Sequence, residues 1–373
     1  MTRADYKIRY LTDSNPDSWD DFCLKYDNAW FWHTTDFQRY ILDNHPTWNN
    51  YTKSFMVTKN EKILAVVPVI IGEKKYEDSK VWKEISYSGW STPFAAVISD
   101  IDSKDKEMLN QTIIDNINLI AKEEGVARAV FSVSFHQKDT YEKSLKKNEL
   151  VNFVNFQDIS ERTLVIDLSA DINSVLSSFR ERYARYIRAN EQAINIEAIS
   201  RSMVADEVLI QYKEVSSHDP SQEFHQGKAE FIAANVEKGK GVLFKCSLAE
   251  NRKAVGFLFV IFYKKYAFDF AVAVDKNYEN LRVSHAMKKA ATIFLKENGC
   301  LVYELGVLTE ASKPHRVASD KQKGITNFKR GFANKDLPLF IAEKFYSEEY
   351  FKYVHDKRIK AFESDLFSDV KGV

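Results

Sequence analysis

The chain has 373 residues, 45% apolar and 28% charged, and its 53 Lys and Arg balance 53 Asp and Glu. This composition belongs to an ordinary folded chain of two domains or one bilobed unit. It excludes coating of nucleic acid through a global positive field, so any anion would be held by a local patch.

The first quarter of the chain holds all six tryptophans, Trp19, Trp30, Trp32, Trp48, Trp82 and Trp90. They imply an aromatic core of its own or an aromatic-lined cleft. A helix is predicted around Asp36–Leu42, then strands near Lys53–Thr58 and Lys62–Ile71 joined by a turn at Lys59-Asn60-Glu61. A loop rich in Ser, Gly and Pro follows at Ser86–Pro93. A long helix is predicted from about Lys104 to Glu124, with Ile113, Ile114, Ile117 and Ile120 on its apolar face and Gly125 ending it. Arg128–Val133 reads as the next strand.

The carboxyl half repeats this order. Strands are predicted at Gly241–Ala249, Lys253–Tyr263 and Tyr266–Val274, a helix over Arg282–Asn298, and a strand at Leu301–Leu305. Antiparallel strands, then a helix, then a strand, occur twice, which points to two related α/β (α+β) units. The join is expected near Val151–Ser160. The carboxyl unit adds helices at about Ile172–Asn195, Met203–Ser217 and Gln226–Lys238.

Three cysteines without CxxC spacing and eight histidines without an HExxH pattern argue against a disulfide frame or structural zinc. His218 and His225, near Asp219 and Glu223, read as a polar loop and helix start. The first residues lack the apolar core of a signal peptide, and no apolar run reaches bilayer length. A cytoplasmic chain with no transmembrane segment, metal or cofactor is expected.

Four segments carry candidate chemistry. In Phe179–Glu191, Arg182, Arg185 and Arg188 recur every third residue beside Tyr183, Tyr186 and Ile187. The stripe is either a phosphate grip made of guanidinium forks or a solvated helix face paired with Glu181 and Glu191. The strand Tyr266–Ala273 holds one acid, Asp269, between the small residues Ala267 and Ala271. It is either a general base on a cleft floor or the partner of one of the arginines. Glu304 ends the strand after the long helix, facing the sheet edge where clefts open. His285, in the first turn of that helix, reads as structural. Finally, Lys323–Phe332 sets Lys329 and Arg330 between Phe328 and Phe332, followed by Gly331, whose backbone would take a positive φ or approach another group closely. The pair suits an oxyanion or a phosphate; the alternative is a helix end with two solvated cations.

In that order, the arginine-rich Phe179–Glu191 helix, Glu304-Leu305-Gly306 and Phe328-Lys329-Arg330-Gly331-Phe332 resemble the Fem family of peptidoglycan-bridge aminoacyltransferases. The amino-terminal Phe31–Ile41 helix and the run Ile63–Val69 fit the same pattern, so the resemblance covers nearly the whole chain. It implies two GNAT-like domains, 1–155 and 156–373, each a mixed, mostly antiparallel sheet flanked by helices. It also implies transfer of an aminoacyl group from charged tRNA to an amine of a nucleotide- or lipid-linked saccharide or peptide precursor, with peripheral contact to the membrane. Lys329 then matches the lysine that stabilises the oxyanion, with Asp269 the second catalytic candidate. Arg182 or Arg185 matches a phosphate-contacting arginine, and Tyr183, Arg330, Phe328, Glu304 and Arg39 complete the substrate-binding set. Asn280–Ala286, at the start of the long helix, has no glycine with which to cradle the pyrophosphate of an acyl-CoA donor. Two alternatives remain: acyl-CoA-dependent N-acylation of an amino sugar, and a catalytically idle Fem-like binding protein.

Overall fold

The structure, a computed structural model, describes residues 6–12, 15–44, 47–76, 80–98, 101–133, 148–199, 206–218 and 226–367. Asp219, Glu223 and His225 lie outside them. In chain order the elements are β1 (Lys7–Tyr10), α1 (Pro16–Lys25), α2 (Thr35–Asp43), β2 (Asn49–Thr52), β3 (Phe55–Lys59), β4 (Lys62–Val67), β5 (Ile70–Lys75) and β6 (Val81–Ile85). There follow β7 (Thr92–Pro93), β8 (Ala96–Val97), α3 (Ser103–Glu124), β9 (Arg128–Val133), β10 (Gln157–Asp158), β11 (Glu161–Asp167), α4 (Ile172–Ser177), α5 (Glu181–Asn190) and β12 (Ile194–Ile199). The rest are α6 (Asp206–Ser217), α7 (Gln226–Glu237), β13 (Gly241–Leu248), β14 (Ala254–Tyr263), β15 (Tyr266–Val274), α8 (Val283–Glu297), β16 (Val302–Val307), α9 (Asp320–Arg330), β17 (Lys335–Phe345) and α10 (Glu348–Leu366).

These elements form two compact units. The first takes Met1–Arg162, Thr309–Lys323 and Pro338–Val373; the second takes Thr163–Leu308 and Gly324–Leu337. A single boundary between 155 and 156 therefore does not describe the packing: the chain leaves the first unit at Arg162 and twice returns to it.

In the first unit, β1, β3, β4 and β8 form one antiparallel sheet. A second sheet runs β17-β9-β6-β5-β2, in which β6 and β9 are parallel. The strand expected over Lys62–Ile71 is two strands, because Pro68 has no N–H to continue a ladder. Helix α3 forms as its sequence dictates. Asp102 accepts a hydrogen bond from the Asp105 N–H at 2.8 Å, and Leu109, Ile113, Ile117 and Ile120 are buried at helical spacing. Gly125 then ends the helix in the left-handed region, φ 68°. The tryptophans serve mainly the core: Trp19 and Trp30 are fully buried, whereas Trp90 is 72% exposed.

The second unit is one sheet in the order β12-β13-β14-β15-β16-β11, antiparallel except for β15 beside β16. Helix α8 connects that parallel pair and buries Val283, Met287, Ala291 and Leu295. The helix expected over Ile172–Asn195 is instead two helices and the start of a strand. At the break, the Arg180 N–H donates to the Gly331 carbonyl at 2.8 Å. Each unit thus has a mixed, mostly antiparallel sheet flanked by helices, and in each a long helix connects two parallel-paired strands.

One irregularity shapes the second sheet. Ala271 pairs with Phe259 and Asp269 with Val260, so Phe270 is an extra residue in β15. The β15–β16 ladder runs only from Tyr266–Phe268 opposite Val302–Glu304. Beyond that the two strands are not paired, and Asp269 and Glu304 stand where the pairing ends.

Candidate functional site

Three elements of the second unit converge at this point: β15 with Asp269, β16 with Glu304, and the last turn of α9 with Lys329. Glu304 is only 5% exposed. Expected at the end of its strand, Glu304 lies within β16, which runs on to Val307, and β11 pairs along the outer side of that strand. Burial lifts the Glu304 carboxyl to a pKa of about 7, against the opposing pull of a hydrogen bond from Thr163 and the charge of Lys329. The Thr163 hydroxyl donates to Glu304 Oε1 at 2.5 Å.

Asp269 pairs with neither an arginine nor an open cleft. Lys288 Nζ, on α8, donates to its Oδ2 at 2.5 Å, and the Tyr303 hydroxyl donates to its Oδ1 at 3.3 Å. Lys288 also reaches the Tyr303 hydroxyl at 3.1 Å. Lys288 is 3% exposed, and burial lowers its pKa while Asp269 holds it up. Asp269 is thus the acceptor of a buried network and orients the groups around it. Lys288 and Tyr303 escaped sequence reasoning, although a lysine next to the apolar stripe of Val283, Met287 and Ala291 was a visible signal.

Lys329 is near enough to both carboxylates to feel their charge. Burial lowers its pKa, Asp269 and Glu304 raise it, and Lys288 lowers it further. Gly306 leaves room for this lysine: a Cβ there would sit 2.9 Å from Lys329 Nζ, and its φ of +100° disfavours any side chain. Arg330 does not share this site. Consecutive helical residues point about 100° apart, and Arg330 is exposed. It lines a cleft of about 280 Å³ with Arg180, Asn334, Lys335 and Asp336.

The aromatic residues of the motif are structural supports. Tyr183, expected to bind substrate, is 3% exposed and packs within the cluster. Its ring lies on Gly331, where a Cβ would come within 1.9 Å of Tyr183 Cε2. Close approach, not positive φ, is what requires that glycine. Tyr183 packs on Phe332 at 4.9 Å and on His285 at 4.5 Å between ring centroids, and its hydroxyl donates to the Phe328 carbonyl at 3.3 Å. Phe328 is half-buried and closes the cluster over His285 at 5.0 Å. Burial, helped by Arg282 and Arg182, lowers the His285 pKa to about 4, in keeping with a neutral structural ring.

Arg182, Arg185 and Arg188 are exposed along α5, and Arg185 stands 3.9 Å from Glu181. Arg39 is exposed on α2 of the first unit, whereas the cluster around Lys329 is built from second-unit residues. A further cleft of about 720 Å³ opens near the start of α8, lined by Gln192, Glu250, Asn277, Tyr278, Asn280 and Leu281 among others. Among the described residues, its lining includes one carboxylate and no cation. Among the described residues, no group of three or more His, Cys, Asp or Glu side chains is placed to hold a metal ion, and no helix is long and apolar enough to cross a membrane.

No family model matches the chain, and no curated protein matches it in sequence. Solved structures do match it in fold. FemX is 14% identical, with a TM-score of 0.63 over 94% of this chain and 100% of its own. The C-terminal domain of a candidate lysylphosphatidylglycerol synthetase from Agrobacterium fabrum is 12% identical, with a TM-score of 0.53 over 92% of this chain and 96% of its own. L-PGS from Bacillus licheniformis is 11% identical, with a TM-score of 0.50 over 87% of this chain and 96% of its own. The Fem-like fold implied by the sequence motifs is the fold this chain has.

Proposed function

We propose that the chain is an acyltransferase that forms an amide bond by moving an aminoacyl group from charged tRNA to an amine of a nucleotide- or lipid-linked cell-envelope precursor. The observation that carries this reading is Lys329 within electrostatic reach of two carboxylates, one of them, Glu304, with a pKa of about 7. An amine attacking an aminoacyl ester forms the C–N bond while the carbonyl oxygen becomes an oxyanion. Lys329 is the cation for that oxygen. Glu304 is poised near neutrality to accept the amine proton, and the C–O bond to the ribose then breaks, the leaving oxygen taking a proton in turn. The Asp269–Lys288–Tyr303 network holds the surrounding charges in place. Likeness to FemX supports the acyl-transfer reading through the fold. Incubation with a pool of charged tRNAs and envelope nucleotides, read by mass spectrometry, tests it. An amide product that disappears with Lys329→Met supports the reading; precursor binding without turnover would show an idle binding protein instead.

The cleft at the start of α8 favours a second reading, acyl-CoA-dependent N-acylation of an amino sugar, because helix-start amides alone can hold a phosphate. Against it stand Glu250 and the lack of a cation in the lining. Calorimetry with acetyl-CoA separates the two: tight stoichiometric binding would replace the tRNA donor with the thioester.

A further inference from the structure

We infer that the cleft formed by Arg180, Arg330, Asn334, Lys335 and Asp336 binds a phosphate group of a nucleotide-sized ligand. Three cations line it against one carboxylate, in a chain whose total formal charge is zero. The positive charge is therefore local, as an anion site on a neutral protein requires. Asp167, 3.7 Å from Lys335 Nζ, moderates the field without cancelling it.

The cleft is built rather than incidental. Arg180 is fixed at both ends. Its backbone N–H donates to the Gly331 carbonyl at 2.8 Å, and its Nη1 donates to Asn327 Oδ1 at 2.9 Å. Its guanidinium also stands 6.0 Å from the Tyr183 ring centroid. A guanidinium has five N–H donors, so the bond to Asn327 leaves donors for a ligand. Asn334 fixes one wall. Its Oδ1 accepts the Asp167 N–H at 2.8 Å, and its Nδ2 donates to the Asp167 carbonyl at 3.3 Å.

Two guanidiniums and an ammonium outnumber the two nearby carboxylates, Asp336 and Asp167, and suit a phosphate, whose oxygens accept bidentate forks. The volume of about 280 Å³ equals roughly nine water molecules, enough for a phosphate with its sugar. The phosphate contacts expected from Arg182 and Arg185 thus find a better-built counterpart one turn earlier, at Arg180.

This inference does not depend on which acyl donor the protein uses, and its test reads binding alone, so failure here leaves the acyl-transfer proposal standing. Inorganic pyrophosphate is titrated into the full chain by calorimetry, followed by UDP, adenosine 3′,5′-bisphosphate and, as a neutral control, uridine. Saturable pyrophosphate binding that weakens with salt is expected, with no binding of uridine. Arg180→Gln and Lys335→Gln are each expected to weaken it at least about tenfold, the scale of a hydrogen bond to a charged group, while Lys122→Gln, on the exposed face of α3 in the first unit, leaves it unchanged. Tighter binding of UDP would assign the phosphate to an acceptor nucleotide; tighter binding of the bisphosphate would assign it to a coenzyme A donor. Should Arg180→Gln fail to fold, Lys335→Gln carries the test. No binding at millimolar concentration, or undiminished binding in the folded Lys335→Gln protein, overturns the inference.

Discussion

Glu304→Gln separates a buried working carboxylate from an inert one. Burial raises the Glu304 pKa from 4.5 to about 7. That difference, at about 1.4 kcal/mol per unit, corresponds to a cost on the order of 3 kcal/mol once the group is ionised in the folded state. The sign follows from proton counting. Below pH 4.5 both folded and unfolded states hold the proton, and Glu304 costs nothing. Between 4.5 and 7 the unfolded state has released it while the folded state keeps it, so stability falls as pH rises. Above 7 the whole cost is present. Glutamine carries no charge and can still accept the Thr163 hydroxyl, so the variant should gain on the wild type by about 3 kcal/mol between pH 4.5 and pH 8. The tryptophans all lie in the first unit, so their fluorescence would miss this. Hydrogen exchange of peptides covering β16 is the suitable assay. In parallel, wild-type turnover should rise with pH through a midpoint near 7, whereas the variant should be flat and at least about 100-fold slower. Parallel stability curves together with an unchanged rate profile would refute the assignment.

Three further outcomes are expected. Lys329→Met should lower kcat by about 100-fold or more and move the acid limb of the rate profile to higher pH, because its charge lowers the Glu304 pKa; an unmoved limb with full turnover would remove Lys329 from the mechanism. Gly331→Ala should destabilise the second unit by roughly 1–3 kcal/mol, since the new methyl meets the Tyr183 ring; an unchanged urea midpoint would contradict that packing. In the first unit, burial would raise the Glu161 pKa, but hydrogen bonds from His315, Arg316 and Lys313 lower it to about 2. Glu161→Gln should therefore cost on the order of 3 kcal/mol at pH 7, a difference that fades as pH falls from 4.5 through 2. Equal losses at both ends of that range would show that charge is not the cause.

The repeated elements were the most legible part of the sequence. Tyr266–Val274 has the bounds its alternation and turn signals predicted, and α3 starts one residue before its expected beginning and ends at Gly125. Periodicity could not show that Arg180 leaves its helix, because the group that takes its N–H, the Gly331 carbonyl, lies 151 residues away in sequence. Nor could it give β17, where apolar and polar residues mix without clean alternation in a strand buried at Glu343 and Lys344 as well as Ala342. At the candidate site, the sequence singled out Lys329, Asp269 and Glu304 by residue type and neighbours. What joins them is the extra residue in β15 and the short β15–β16 ladder, which depend on register between distant strands. The packing of Tyr183 on Gly331 was not legible because an aromatic beside arginines looks the same from sequence whether it faces a ligand or a glycine.

The discontinuous first unit bears on how this protein is made. Its β9 pairs with β17, and Arg128 of β9 is held by Glu343 at 2.7 Å, which also binds Arg358 of α10 at 2.5 Å. When Arg162 leaves the ribosome, none of these partners exists yet. The intervening residues, up to Pro338, take roughly 10–35 s to synthesise at bacterial and eukaryotic elongation speeds. Throughout that interval, β9 has an open edge and Arg128 lacks its Glu343 counter-charge, while the inserted second unit has time to fold. The nascent chain should therefore be most vulnerable to proteases and most dependent on chaperones just before the segment that begins at Pro338 emerges, and early termination there would leave a folded second unit attached to an unfinished first.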